Sequence, residues 1–220
     1  RGSTDTQARA ITKGLGVPID GAGKALGIEK LLEPPSFESA VATAGAQPSF
    51  VAKLSPVPLA NYYVADNSNT ANLTGNRSSQ NLLAPELFIP RVSKQATFYQ
   101  LTSVSASGLV GTERHYAFCA APNDGKQARC SAMFDAPLAD GIPINFQLSR
   151  SVDGELQQLV NTQSLQARNG RFAIQGLPAG HYSWTLSYAV VQSPNASGTD
   201  TIIRQAGSFE LIPLLAPHKP

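Results

Sequence analysis

Three histidines and two cysteines are the side chains of this sequence best able to do chemistry: His115, His181, His218, Cys119 and Cys130. His115 stands in Gly-Thr-Glu-Arg-His-Tyr-Ala-Phe-Cys, where strand alternation puts it on one face with Glu113. Such a pair could act as acid and base or hold part of a metal shell. Two ligands do not make a metal site, however, and an exposed polar strand edge explains the pair more simply. A hydrolase using His115 is therefore kept only as a third reading. His181 follows a turn glycine and reads as a surface strand residue. No serine lies in a Gly-x-Ser-x-Gly elbow, and no phosphate-binding or dinucleotide fingerprint is present. Asp135, Asp140 and Asp153 flank turns, where Asx-turn roles account for them, and they lack the dense spacing of a calcium loop. The sequence assigns no catalytic residue, metal or cofactor.

The cysteines enclose Cys-Ala-Ala-Pro-Asn-Asp-Gly-Lys-Gln-Ala-Arg-Cys. That spacing suits neither a CxxC redox pair nor a zinc half-site. Pro-Asn-Asp-Gly is a hairpin-turn signal, expected to bring the flanking strands face to face and to bridge Cys119 to Cys130. A loop of this size closed by a disulfide is worth about 3 kcal/mol in the chain-entropy account. Disulfides persist in oxidising compartments, so the pair places the protein outside the cytoplasm: periplasmic, on a cell surface or secreted.

Seventeen basic residues against fifteen acidic give a net charge of +2. No basic cluster interleaves with aromatics, so nucleic acid is not expected as a partner. No apolar run reaches the roughly 20 residues that cross a bilayer as a helix. The opening Arg1-Gly2-Ser3, without an initiator Met, suits either a trimmed chain or a processed product, so the absence of a signal peptide is uninformative. Asn72, Asn76 and Asn195 head N-x-S/T triplets, which an Asn-, Ser- and Thr-rich chain produces by chance.

The elements that must position these residues divide unevenly. Residues 1–90 hold eight of the sixteen prolines but five of the sixteen aromatics. They read as an extended or partly disordered arm with one short helix near 23–33, stopped by Pro34-Pro35. Residues 65–81, Ala-Asp-Asn-Ser-Asn-Thr onward, have no hydrophobic period and read as an exposed loop. From 91 to 214 the chain is β-rich. Ile142, Ile144, Phe146 and Leu148 alternate with polar residues in a clean period of two. Asp153-Gly154 and Asn169-Gly170 are turn signals, and residues 156–167 read as two weak strands or one bent one. Tyr182, Trp184, Leu186, Tyr188 and Val190 share a face after the turn Gly-Leu-Pro-Ala-Gly.

Gly-Ile-Pro-Ile-Asn-Phe, Asn-Gly-Arg-Phe and Gly-Leu-Pro-Ala-Gly-His-Tyr, all within residues 141–190, resemble prealbumin-like β-sandwich modules: the carboxypeptidase-regulatory-like, CnaB-like and transthyretin-like groups. The resemblance implies a sandwich over 135–214 and is almost silent on function. No Lys lies between Lys126 and Lys219, so the Lys–Asn cross-link of some CnaB-like modules cannot form inside this one. The chain also ends Pro-His-Lys-Pro rather than Tyr-Arg-Gly-Ser, so hydroxyisourate hydrolase activity is not carried over.

The expected fold is mainly β, an antiparallel prealbumin/Ig-like sandwich behind an irregular N-terminal arm. The expected role is non-enzymatic: protein–protein interaction or structural support in a bacterial envelope, surface or secreted assembly. A carbohydrate-binding or adhesion module is the alternative. It would use exposed rings, for which Tyr62, Tyr63, Tyr99 and Tyr116 are the candidates.

Overall fold

A computed structural model describes residues 32–43, 48–121, 128–190 and 201–215. They form thirteen strands: β1 (Phe37–Thr43), β2 (Ser49–Leu54), β3 (Ala60–Ser68), β4 (Arg77–Leu82), β5 (Glu86–Ile89), β6 (Thr97–Ser105), β7 (Val110–Ala121), β8 (Cys130–Asp135), β9 (Pro143–Val152), β10 (Glu155–Gln166), β11 (Arg171–Leu177), β12 (Gly180–Val190) and β13 (Thr201–Leu215). One sheet of eight strands runs in the order β10-β9-β12-β13-β7-β6-β3-β4. A three-stranded sheet, β1-β2-β5, and a two-stranded ribbon, β8-β11, complete the fold.

The two smaller sheets cover opposite faces of the large one. Phe98, Ala117, Cys119, Phe209 and Leu211 belong to the core that β8 and β11 cover, together with Phe146, Trp184 and their neighbours on β9 and β12. Tyr99, Leu101, Tyr116, Phe118 and Leu214 belong to the other core, under Phe50, Leu54, Leu87 and Ile89 of the three-stranded sheet. Successive strand residues point to opposite faces, so β6, β7 and β13 are buried on both sides where the cores overlap. The result is two sandwiches built back to back on a shared sheet.

The expected mainly β sandwich is therefore present, with three corrections. The pairing is not wholly antiparallel, because β13 runs parallel to β7 over Glu210–Leu215 and Tyr116–Ala121. Residues 37–89 are not an irregular arm but five strands, and β3 pairs with β6 across the expected boundary at 90/91. The sandwich also begins before residue 135, since β8 supplies the ribbon partner of β11. The helix expected near 23–33 lies outside the described residues, except that Leu32 and Glu33 are irregular.

Turn signals in the second half were legible. Asp153 (φ 52°) and Gly154 (φ 86°) join β9 to β10, and Asn169 (φ 52°) and Gly170 (φ 68°) close the turn before β11. Strand β10 is a single bent strand, with register shifts at Gln158/Val160 and Thr162/Leu165. Gly-Leu-Pro-Ala-Gly is not a hairpin, however. Strands β11 and β12 lie in different sheets, so this segment carries the chain from the ribbon to the large sheet. Gly180 adopts φ 148°, and a Cβ there would stand 2.6 Å from Arg150 Nε. Gly180→Val is expected to cost about 1–3 kcal/mol through backbone strain and this crowding. His181→Ala, at an exposed neighbouring site, is expected to be nearly neutral. Thermal unfolding compares them, and equal midpoints for the two variants would remove the constraint assigned to Gly180.

Candidate interaction surface

The sequence candidates fall in different places. Tyr99 and Tyr116 are only 1% and 2% exposed, and Tyr63 is buried with its hydroxyl accepting the Val57 N–H at 3.0 Å. The Tyr116 hydroxyl accepts the Phe37 N–H at 2.9 Å, and its ring stacks on Phe118. Burial pushes the Tyr99 phenol up to about 12. None of these three rings can stack on a sugar. Tyr62, half-buried beside them on β3, is the remaining candidate.

Glu113 and His115 do share a face, with Glu113 Oε1 3.4 Å from His115 Nε2. They stand where the large sheet divides. From Glu210 and Tyr116 onward, β13 and β7 are hydrogen-bonded; before them, among the described residues, β13 pairs with β12 alone and β7 with β6 alone, save that the Thr112 N–H donates to the Leu32 carbonyl at 3.2 Å. A cleft of about 620 Å³ opens between them, lined by Glu113, His115, His181, Ser208 and Glu210 among others. His115 Nδ1 meets the Ser208 carbonyl at 3.2 Å, Gln100 Nε2 donates to Glu113 Oε2 at 2.5 Å, and His181 Nε2 lies 3.8 Å from Glu210 Oε1. The partners of His115 are thus a main-chain carbonyl and a carboxylate, neither of which carries a proton for it to remove as a general base. Among the described residues no group of three or more His, Cys, Asp or Glu side chains could hold a metal ion.

A second, larger hollow of about 1030 Å³ lies beside the turn before β11, lined by Asp135, Asp140, Arg168, Asn169 and Arg171 among others. Its carboxylates are already committed. Asp135 Oδ2 accepts from Thr70 Oγ1 and Thr74 Oγ1, both at 2.8 Å, and Oδ1 accepts from Arg171 Nε at 2.8 Å. Asp140 Oδ1 accepts the Gly170 N–H at 2.6 Å. Asn72 reads the Asp135 backbone with both ends of its amide, accepting the N–H at 2.8 Å and donating to the carbonyl at 3.2 Å. Residues 65–81 are therefore not an exposed loop. Their middle is a polar turn docked on β8, with Ser68 and Thr70 buried. Asn72 is engaged inside the molecule, Asn76 is exposed, and Asn195 lies outside the described residues.

The Cys119–Cys130 bridge forms, with Cα atoms 6.1 Å apart. It does not join paired strands, because β7 lies in the large sheet and β8 in the ribbon. It bolts one layer of the sandwich to the other. The Pro-Asn-Asp-Gly turn itself lies outside the described residues.

No protein-family model matches the sequence, and no curated protein matches it. Among solved structures the chain is similar to the FN1–FN3 domains of chicken CNTN1, at 10% identity and TM-score 0.27, over 84% of this chain and 68% of that one. It is also similar to the central fibronectin-III array of RIM-binding protein, at 12% identity and TM-score 0.29, over 86% of this chain and 73% of that one. Scores this low fix no family. What stands of the expected prealbumin-like resemblance is the β-sandwich.

One surface was missed from sequence. On the outward face of the three-stranded sheet, Val41, Val51 and Phe88 stand in register across β1, β2 and β5. Val41 is 70% and Phe88 50% exposed, while the neighbouring row carries Ser39, Lys53 and Glu86. An antiparallel sheet with one solvated face normally alternates to polar residues outside. This row does not. Only the pairing of β2 with both β1 and β5 brings these residues together, so the sequence alone gave no signal.

Proposed function

We propose that the protein is a non-enzymatic, extracytoplasmic β-sandwich that serves in protein–protein contact or structural support within a cell-envelope, surface or secreted assembly. The apolar row Val41–Val51–Phe88 carries this reading, because a protein partner would bury what the sheet leaves in water. The inter-layer disulfide supports the location, and the committed carboxylates of the larger hollow support the absence of catalysis. Photo-cross-linking residues placed singly at Val41, Phe88 and Ser78 in the producing cell test it. Protein adducts are expected from positions 41 and 88 and not from 78 on the polar strand β4. Adducts to glycan alone, or no adduct from either apolar position, would overturn the reading.

Carbohydrate binding is the second reading, favoured by the polar side chains Arg168, Asn169 and Arg171 around the larger hollow. It lacks the exposed rings first expected of it. Binding to a glycan panel that Arg168→Ala abolishes would put it first.

A further inference from the structure

We propose that the cleft between β7 and β13 receives an extended segment of a partner protein, carrying Lys or Arg, by strand addition to the inner edge of β13. This deepens the protein-contact reading and rests on it, at a surface separate from the Val41–Val51–Phe88 row.

The edge is defined by one contact. The Ser208 carbonyl points toward β7, where it meets His115 Nδ1 instead of a main-chain donor. In an extended strand the N–H and C=O of one residue point to the same side, and the pattern repeats every second residue. The main-chain groups of Ile202, Arg204 and Ala206 therefore point to the same side of β13 as those of Ser208. Among the described residues, β13 below Glu210 pairs with β12 and with no other strand. No main-chain hydrogen bond from a turn or loop reaches residues 202–208 among the described residues. Unpaired edges of this kind are templates for another chain.

The outer edges of the same sheet are blunted and this one is not. Strand β10 carries two register shifts, and β4 is a six-residue polar strand. Strand β13 keeps an unbroken register with β12 from Thr201 to Leu211. Glu113 and Glu210 stand on opposite walls of the cleft, whereas the Arg114 guanidinium is turned to the Ser36 hydroxyl. An incoming strand that places a cation between the carboxylates matches these walls.

The probes are two capped peptides of alternating sequence, Thr-Lys-Val-Lys-Val-Lys-Thr and its glutamate counterpart, each with a fluorophore. Anisotropy titration of the full chain is expected to show saturable binding of the lysine peptide and at least tenfold weaker binding of the glutamate peptide. Amide hydrogen exchange at 204, 206 and 208 is expected to be fast in the protein alone and slowed by the lysine peptide. Ala206→Pro removes a donor from the cleft side of the edge, where proline is tolerated, and is expected to weaken binding at least tenfold. Glu113→Lys with Glu210→Lys does the same through charge and guards against misfolding of the proline variant. Four results would overturn the proposal: equal binding of both peptides, no binding of either, protection confined to β4 or β10, or amides already protected without peptide. The last would mean that a second copy or the chain itself fills the edge. Cross-links at 41 and 88 would persist in every such case, so the proposals fail separately.

Discussion

Trp184→Ala is expected to destabilise the protein by about 3–5 kcal/mol, the range for emptying a buried aromatic site. The indole is buried on β12, with its ring edge-on to Phe134 at 5.4 Å, and Phe134 stacks on Phe172 at 5.3 Å and meets Phe146 at 4.8 Å. Across the ladder its partner is Gly207, where an added Cβ would fall 2.8 Å from the indole. The indole therefore occupies space that β13 leaves open, and alanine would leave a void between the large sheet and the ribbon. Trp184→Phe separates the two contributions to this cost. Nε1 of Trp184 has no hydrogen-bond partner among the described residues, so phenylalanine removes an unsatisfied donor while keeping most of the ring contact. Denaturant unfolding should show the phenylalanine variant losing less than half of what alanine loses. An alanine variant as stable as the parent would place Trp184 on a recognition surface instead of in a core.

The second large effect is loss of the disulfide. Cys119→Ala with Cys130→Ala is expected to cost about 3 kcal/mol, from the entropy returned to the unfolded chain when the closing bond goes. For a chain of this size that corresponds to a fall of roughly 2–4 °C in Tm per kcal/mol. Beside the bridge only the short main-chain contact of Ser131 with Lys94 and Ala96 ties the ribbon to the segment leading into β6, among the described residues, so the ribbon should loosen first. Both sulfurs are buried, so a reductant should act on the native protein only as fast as the layers part. Exchange at β8 and β11 amides, compared with and without the bridge, checks this. Uniform acceleration across both cores would contradict it.

The part of the fold that was legible in sequence is the part where one face of a strand meets water. Ile144, Phe146 and Leu148 on β9, and Tyr182, Trp184, Leu186 and Tyr188 on β12, are the buried members of alternating strands. Strands β6 and β7 were legible as strands but not in orientation. Both faces are buried, so Phe98-Tyr99 and Tyr116-Ala117-Phe118 show no alternation, and nothing local says which way a tyrosine points. That is why spacing alone does not separate Tyr99 and Tyr116 from surface rings. The polar turn after β3 was misread for a different reason. Its anchor, Asp135, lies 65 residues from Thr70, and a buried hydrogen-bond network leaves no hydrophobic period to find. The His115–Glu113 pair was visible from spacing, whereas the cleft around it depends on where β13 leaves β7.

The place of β13 in the sheet sets the order in which the molecule can assemble. It is the last described strand in the sequence, yet it stands between β12 and β7 and joins the two halves of the eight-stranded sheet. Until it arrives, β3, β4, β6 and β7 form one flank and β9, β10 and β12 another, with no ladder between them. Its parallel pairing with β7 links residues about ninety positions apart, as in Glu210 with Tyr116, and such distant contacts close slowly. During synthesis the two flanks therefore wait as separate, half-covered sheets with bare edges. The strand that locks the molecule is thus the one whose pairing comes latest in its order of assembly.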